Sequence, residues 1–197
     1  MKALSCLPEG YREYCSVNLQ KDKKTAFLVN GLALMIAIAM AYLMSFFVPF
    51  SSIYLSGGEV GDVLRALKIK GLALIALNVL YMVLHELVHG AAMKICGTAK
   101  IRYGFTGLYA FAGSDDYYSK KAYIFIALAP VILWGIVLAA VNALVPYDWF
   151  WVVFVIQIIN ISGAAGDFYV CKKFSRFPVD ILVKDVGVSM TVYSCCT

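Results

Sequence analysis

Four long apolar segments constrain the fold of this chain more than any other feature of its sequence. They cover about residues 26–48, 71–95, 122–145 and 149–171. Each is long enough to cross about 30 Å of hydrocarbon, which takes roughly 20 helical residues. Hydrophobic residues make up 62% of the chain and charged residues only 15%, a balance unlike that of soluble domains. The sequence therefore predicts an all-α membrane protein with four transmembrane helices.

The connections between these segments indicate a single unit in the cell membrane. No linker rich in proline, glycine or serine divides residues 1–197, so we expect one membrane-embedded domain. The net charge of +5 comes from basic residues beside the apolar segments. The positive-inside rule explains this placement better than nucleic-acid binding does, and we expect no nucleic-acid partner.

Lysine and arginine flanks predict the orientation of a multi-pass protein. They occur at both ends of the chain and between the second and third segments, but not in the third turn, "PYD". Both termini and the middle connection are therefore expected in the cytoplasm. The first connection does not fit this orientation, because its basic residues Arg65, Lys68 and Lys70 would lie outside. Its stretch "VGDVLRALK" has apolar residues at helical spacing, which predicts a short amphipathic helix on the outer surface.

The middle connection alternates in a way typical of strands. Ile101, Tyr103 and Phe105 alternate with polar or small residues, and Tyr109 and Phe111 do so after a "TG" turn. Period-two alternation on both sides of a turn predicts a small β-hairpin at the cytoplasmic surface.

Three ionisable side chains interrupt the second apolar segment in "HELVH". His85 and His89 are four residues apart, so they share one face of a helix, and Glu86 is next to the first. This HExxH arrangement supplies two zinc ligands and a general base that takes a proton from water as it attacks a carbonyl. The alternative is a buried histidine–glutamate hydrogen-bond network that joins helices. Ionisable groups within a membrane span favour the functional interpretation.

A catalytic zinc usually takes a third protein ligand, and Asp167 is the candidate. It precedes Lys172 by five residues, as His89 precedes Lys94, so the predicted topology places both side chains at the same depth. The alternative is a helix-end carboxylate that reaches the membrane surface or pairs with Lys172.

Asn160 lies seven residues before Asp167, on about the same helical face. Its amide can donate a hydrogen bond to a substrate carbonyl or a developing oxyanion. It can equally bind a neighbouring helix, and the sequence leaves both roles open.

Several motifs together resemble a known family. They are "LPEGY", "HELVHG", "ALAP" at 127–130, "SGAAGD" and "DILVKDVG", spread over nearly the whole chain. The chain resembles a bacterial family of integral-membrane zincin peptidases, related to intramembrane zinc metalloproteases of the site-2-protease type. The resemblance implies Zn²⁺ on His85, His89 and Asp167, with Glu86 as catalytic base. It also implies that the hairpin offers a strand edge to an unwound substrate.

The hypothesis is a zinc-dependent intramembrane endopeptidase that cuts a peptide bond in or near a membrane segment. Its partners are the lipid bilayer and a membrane-protein or peptide substrate. One alternative is a non-catalytic membrane protein whose structural metal site binds a partner. Another is a metal-dependent hydrolase that acts on lipids.

Overall fold

A computed structural model describes residues 2–18, 21–54, 60–107, 110–187 and 189–195. Tyr109, part of the predicted hairpin, lies outside these ranges. The chain divides into two compact units, each described by itself. The first unit comprises residues 1–30, 83–130 and 166–197, and the second comprises residues 31–82 and 131–165. The prediction of a single domain stays a prediction.

Five helices form the larger part of the described chain: α1 (Lys23–Ser45), α2 (Val60–Ile95), α3 (Lys120–Leu144), α4 (Phe150–Gly163) and α5 (Ala165–Ser175). Short 3-10 turns at Phe50–Tyr54 and Tyr147–Trp149 precede α2 and α4. By length and composition, α1, α2, α3 and the stretch Tyr147–Ser175 can each cross a membrane. The prediction of four membrane-capable segments is confirmed.

Two of these segments differ in detail from the prediction. Residues 60–70 form no separate surface helix, because α2 runs without a break from Val60 to Ile95. No proline interrupts this stretch, and its alanine, leucine, lysine and arginine residues favour helix. The fourth segment, in contrast, breaks at Ala164, whose ψ of 9° departs from helical geometry. The neighbouring Gly163 weakens helix at this point.

Six strands form two antiparallel sheets: β1 (Tyr11–Val17), β2 (Arg102–Phe105), β3 (Ala110–Gly113), β4 (Tyr117–Ser119), β5 (Leu182–Asp185) and β6 (Met190–Cys195). Strands β2 and β3 pair with Tyr103 opposite Ala112, which confirms the predicted hairpin. The second sheet has the order β1-β6-β5-β4. The sequence after Arg176 predicts extended structure, but not this sheet or its strand order. The β5–β6 hairpin pairs with β1 and β4 from distant parts of the chain, and local alternation does not reveal that pairing.

The core of the first unit forms where helix ends meet the four-stranded sheet. Tyr118, Phe174, Ile181, Val183 and Val192 have no exposed surface there. They cluster with buried residues from the end of α2, the start of α3 and α5. This packing fixes the part of α2 that carries the predicted metal ligands against α5 and the sheet.

The end of α2 is closed by a Schellman motif. Gly97 has a φ of +94°, a conformation that glycine adopts without strain. Its N–H donates to the Lys94 carbonyl at 2.9 Å, and the Thr98 N–H donates to Met93 at 3.1 Å. The chain therefore turns sharply after Ile95 and leads into β2.

Lys70, one of the basic residues that do not fit the predicted orientation, is buried and forms an ion pair within the second unit. The side chain is 6% exposed. Its Nζ donates to Asp148 at 2.7 Å and to the Ile53 carbonyl at 3.1 Å. Because Asp148 compensates its charge, Lys70 counts less against the predicted orientation than an unpaired lysine would.

Candidate metal centre

The structure brings together the three residues predicted to bind metal. One ligand atom from each of His85, His89 and Asp167 lies within 4.8 Å of the others. All three side chains are half-buried. The histidines lie on one face of α2, with ring centroids 5.0 Å apart, and Asp167 lies in the first turn of α5. The predicted proximity of Asp167 to the histidines is present, while the role of each residue stays a prediction.

A backbone carbonyl orients the second histidine. Nδ1 of His89 lies 3.0 Å from the carbonyl oxygen of Ile126 in α3, so Nδ1 carries the proton and donates. In a regular helix this carbonyl would accept from the residue four positions later, which is Pro130 and has no N–H. The Ile126 oxygen is therefore free for the imidazole, and Nε2 of His89 remains available as a ligand.

Glu86 is held by the edge of the hairpin. The backbone N–H of Ala112 in β3 donates a hydrogen bond to its carboxylate. Ala112 pairs with Tyr103 of β2. Because the Ala112 N–H binds Glu86 instead of β2, it points away from the partner strand. The outer edge of β3 therefore faces the HELVH segment of α2.

Asp185 is a buried carboxylate that the sequence analysis did not single out. It lies at the end of β5, where Tyr123 donates to Oδ2 at 3.0 Å and the Gly187 N–H donates to Oδ1 at 2.8 Å. Burial raises its pKa to about 6. It interacts electrostatically with Glu86 and Asp167. In the sequence Asp185 is the second aspartate of the "DILVKDVG" motif. An acidic residue before a Val-Gly pair equally fits a surface turn.

Asp185 also joins the two sheets. Its carbonyl oxygen accepts a hydrogen bond from the N–H of Ser114 at 2.8 Å, directly after β3 ends at Gly113. Gly113 leaves no room for a side chain, because a Cβ there would lie 2.5 Å from the carbonyl carbon of Val186. The strand that contacts Glu86 is therefore fixed to the β5–β6 turn.

Asn160 belongs to the second unit, where its amide is fully buried. Tyr81 donates to its Oδ1 at 2.9 Å, and its Nδ2 donates to the Val131 carbonyl at 3.2 Å. These bonds connect α4 to α2 and α3, as the interhelical alternative requires. The oxyanion role stays a prediction.

The donor set fits a zinc ion. Two imidazoles and one carboxylate are ligands that catalytic zinc sites use. The bond to Ile126 selects the tautomer of His89 that binds metal through Nε2. Glu86 follows the first ligand in the chain and lies on an adjacent part of the same helix.

Comparison with known proteins agrees with this chemistry. The model of the family described as "Putative zincin peptidase" matches residues 78–182, which is more than half of the chain. This range includes the HELVH segment and Asp167. The family match defines a zincin-type protein, and its helices are long and apolar enough to cross a membrane. The chain belongs to this zincin peptidase family.

A similar protein occurs in Pyrococcus woesei, with the printed description "Uncharacterized 24.7 kDa protein in gap 5'region". It is 30% identical over 117 residues, which cover 57% of this chain and 50% of that protein. The chain thus matches about half the length of that relative. No solved structure matches significantly.

Proposed function

We propose that the protein is a zinc-dependent intramembrane endopeptidase, which hydrolyses a peptide bond in or near a membrane segment of its substrate. The observation that carries this proposal is the cluster of His85, His89 and Asp167 on two helical segments that can cross a membrane. Family membership supports zinc peptidase chemistry. The position of the cluster within apolar helices supports the intramembrane setting.

The three clustered residues would hold the metal. When bound, zinc supplies Lewis acidity, which polarises a carbonyl and lowers the pKa of water. Glu86 accepts the proton of the attacking water on its carboxylate and transfers it to the leaving amine nitrogen. The Ala112 N–H fixes one carboxylate oxygen during this transfer, and Ile126 keeps the His89 ring in place.

The substrate would be a membrane protein or peptide in extended form. An unwound segment can pair with the outer edge of β3, whose Ala112 already directs its N–H toward Glu86. Pairing there would bring a peptide backbone next to the general base. Asn160 is the proposed oxyanion donor in this scheme, through an N–H of Nδ2 other than the one that donates to the Val131 carbonyl.

We place the protein in the cell membrane, as a multi-pass protein with both termini in the cytoplasm. The basic residues flanking the apolar segments support this orientation. The paired state of Lys70 removes part of the opposing charge from the first connection.

The alternative is a non-catalytic membrane protein with a structural metal site that binds a partner. Structural zinc sites are usually closed by four protein ligands. Among the described residues the cluster has three members, which leaves a coordination position for water. The geometry therefore favours the enzyme.

The metal site is tested by metal analysis of protein that has been purified in detergent without exposure to a chelator. We expect about one zinc per chain in the wild type, as one catalytic centre requires, and much less in His85→Ala and Asp167→Ala. Asp62→Ala is the control, since Asp62 is an exposed carboxylate in the first turn of α2. A folded wild-type protein without zinc would overturn the proposal.

A second experiment separates catalysis from metal binding. Glu86→Gln should keep its zinc and lose cleavage of nanodisc-embedded membrane proteins by about 10²–10⁴-fold, the usual contribution of a general base. Fragments are identified by mass spectrometry. Cleavage at the wild-type rate in this variant would exclude the mechanism.

A further inference from the structure

A cavity of about 590 Å³ lies beside α2 and is separate from the metal centre. Its walls include Leu87, Gly90, Ala91 and Lys94 of α2. At 100° per residue, Leu87, Ala91 and Lys94 lie about 120–180° around the helix from each of the two histidines. The cavity therefore belongs to the opposite face of α2.

The second wall of the cavity is strongly basic. The segment leading into β2 contributes Lys100 and Arg102 to the lining, which also includes Lys94. The Lys94 ammonium donates to the Ala99 carbonyl of this segment at 2.7 Å. Arg102 pairs with Asp115 at 2.8 Å, and the same carboxylate also contacts Lys184 at 3.3 Å. Because one carboxylate compensates only part of this charge, the rim is positive. In the described part of the chain Lys100 forms no ion pair.

The opposite end of the cavity is apolar and exposed. Leu87 is 46% exposed and Val83, one turn earlier, is 51% exposed, so an apolar strip of α2 leads away from the basic rim. The Tyr103 hydroxyl packs against Gly90, where no side chain intervenes. Tyrosine is typical of the membrane–water interface, where its ring meets hydrocarbon and its hydroxyl meets polar groups.

A basic rim next to an exposed apolar strip is complementary to a ligand that has an acidic headgroup and an apolar chain. We propose that the cavity binds the headgroup of an anionic phospholipid, with an acyl chain along Val83 and Leu87. Basic pockets at the ends of membrane helices are suited to acidic headgroups. The proposal rests on the membrane placement proposed above and is independent of the peptidase activity.

Lipid titration followed by native mass spectrometry tests this site. The delipidated full-length protein is titrated with phosphatidylglycerol and, separately, with phosphatidylcholine. We expect one tightly bound phosphatidylglycerol and no comparable phosphatidylcholine. In Lys94→Gln/Lys100→Gln/Arg102→Gln the affinity for phosphatidylglycerol should fall on the order of 100-fold, because each basic side chain near an acidic surface contributes about fivefold.

A matched control removes the same charge elsewhere. Lys21→Gln/Lys23→Gln/Lys24→Gln changes three exposed residues at the N-terminal flank and should bind phosphatidylglycerol like the wild type. Ala91→Trp keeps all charges and fills the apolar side of the cavity, so it should also weaken binding. Zinc is measured in every sample, which separates failure at this cavity from failure of the metal centre.

Four results would overturn the proposal. They are equal affinity for phosphatidylcholine, unchanged binding in the cavity variants, an equal loss in the N-terminal control, and displacement of the lipid by inorganic phosphate alone. The last result would identify a site for free phosphate.

Discussion

His89 donates from Nδ1 to the carbonyl oxygen of Ile126, 3.0 Å away on the neighbouring helix. That oxygen is available because Pro130 cannot donate to it. A proline within α3 thus determines which nitrogen of a histidine on α2 is left for a metal. The ring orientation of a predicted ligand is set here by the backbone of a different helix.

Pro130→Ala tests this relationship. Alanine restores an N–H that competes for the Ile126 oxygen, so the imidazole is held less firmly. Changes to groups that orient metal-binding histidines cost about 10–100-fold in affinity. We expect the low end, about tenfold weaker zinc binding, measured by competition with a chromophoric chelator.

The control for this variant is Pro146→Ala, which changes a proline just before the 3-10 turn at Tyr147–Trp149. It should leave zinc affinity unchanged. Equal zinc affinity in Pro130→Ala and the wild type would show that the Ile126 bond has no part in orienting the ligand.

Gly113→Ala should destabilise the protein, because the new Cβ would lie 2.5–2.8 Å from backbone atoms of Val186 and Gly187. Backbone atoms cannot move aside as a flexible side chain can. Overpacking of this kind costs about 1–3 kcal/mol. The measurement is thermal unfolding in detergent, followed by tryptophan fluorescence.

Gly31→Ala is the matched control for that measurement. Gly31 lies in α1 with no heavy atom within 4 Å of the added Cβ, so alanine should be neutral or stabilise by about 0.5–1 kcal/mol. If both variants unfold at the wild-type temperature, the close approach of β3 to the β5–β6 turn is not maintained in solution.

The ion pair between the buried Lys70 and the half-buried Asp148 is suited to a double-mutant cycle. Asp148→Asn leaves a buried ammonium group without its counter-charge, which costs about 3–5 kcal/mol. Adding Lys70→Met removes that charge and should recover most of the loss. Chemical denaturation of the wild type, both single variants and the double variant measures the coupling. Additive effects would mean that the two charges do not interact.

Asp185 should make stability depend on pH. Burial raises the pKa of this carboxyl to about 6 from an ordinary value of 3.8, so folding favours the protonated form. Its contribution is fully present below about pH 4 and is lost as pH rises through about 6, with a total on the order of 3 kcal/mol. Asp185→Asn should remove this decline, measured as thermal unfolding of chelator-treated protein between pH 4 and 8. A parallel decline in the wild type and the variant would assign the effect to other groups.

The parts of the site that could be predicted depend on local spacing. His85 and His89 share a helical face by periodicity alone, and Asp167 was found by comparing depths in two apolar segments. The β2–β3 hairpin followed from alternation on both sides of a turn. Each of these signals lies within a short stretch of sequence.

The features of the site that could not be predicted depend on long-range strand pairing or on backbone groups. Asp185 lies in a short β5–β6 hairpin, and it becomes buried only when β5 also pairs with β4, which comes from a distant segment. The Ala112 N–H and the Ile126 carbonyl have no side-chain signature. The "ALAP" motif contains Pro130, which leaves the Ile126 carbonyl without its helical donor. That this carbonyl binds His89 depends on the position of α2, which the sequence does not give.

The predicted metal ligands come from α2 and α5, which are far apart in the chain but meet within the first unit. A zinc ion bound to all three would connect these helices as a cross-link does. Since it would bind only the folded arrangement, its free concentration would set part of the folding free energy, about 2.7 kcal/mol at one hundred times Kd. Metal supply would then govern how long the protein persists as well as whether it can act.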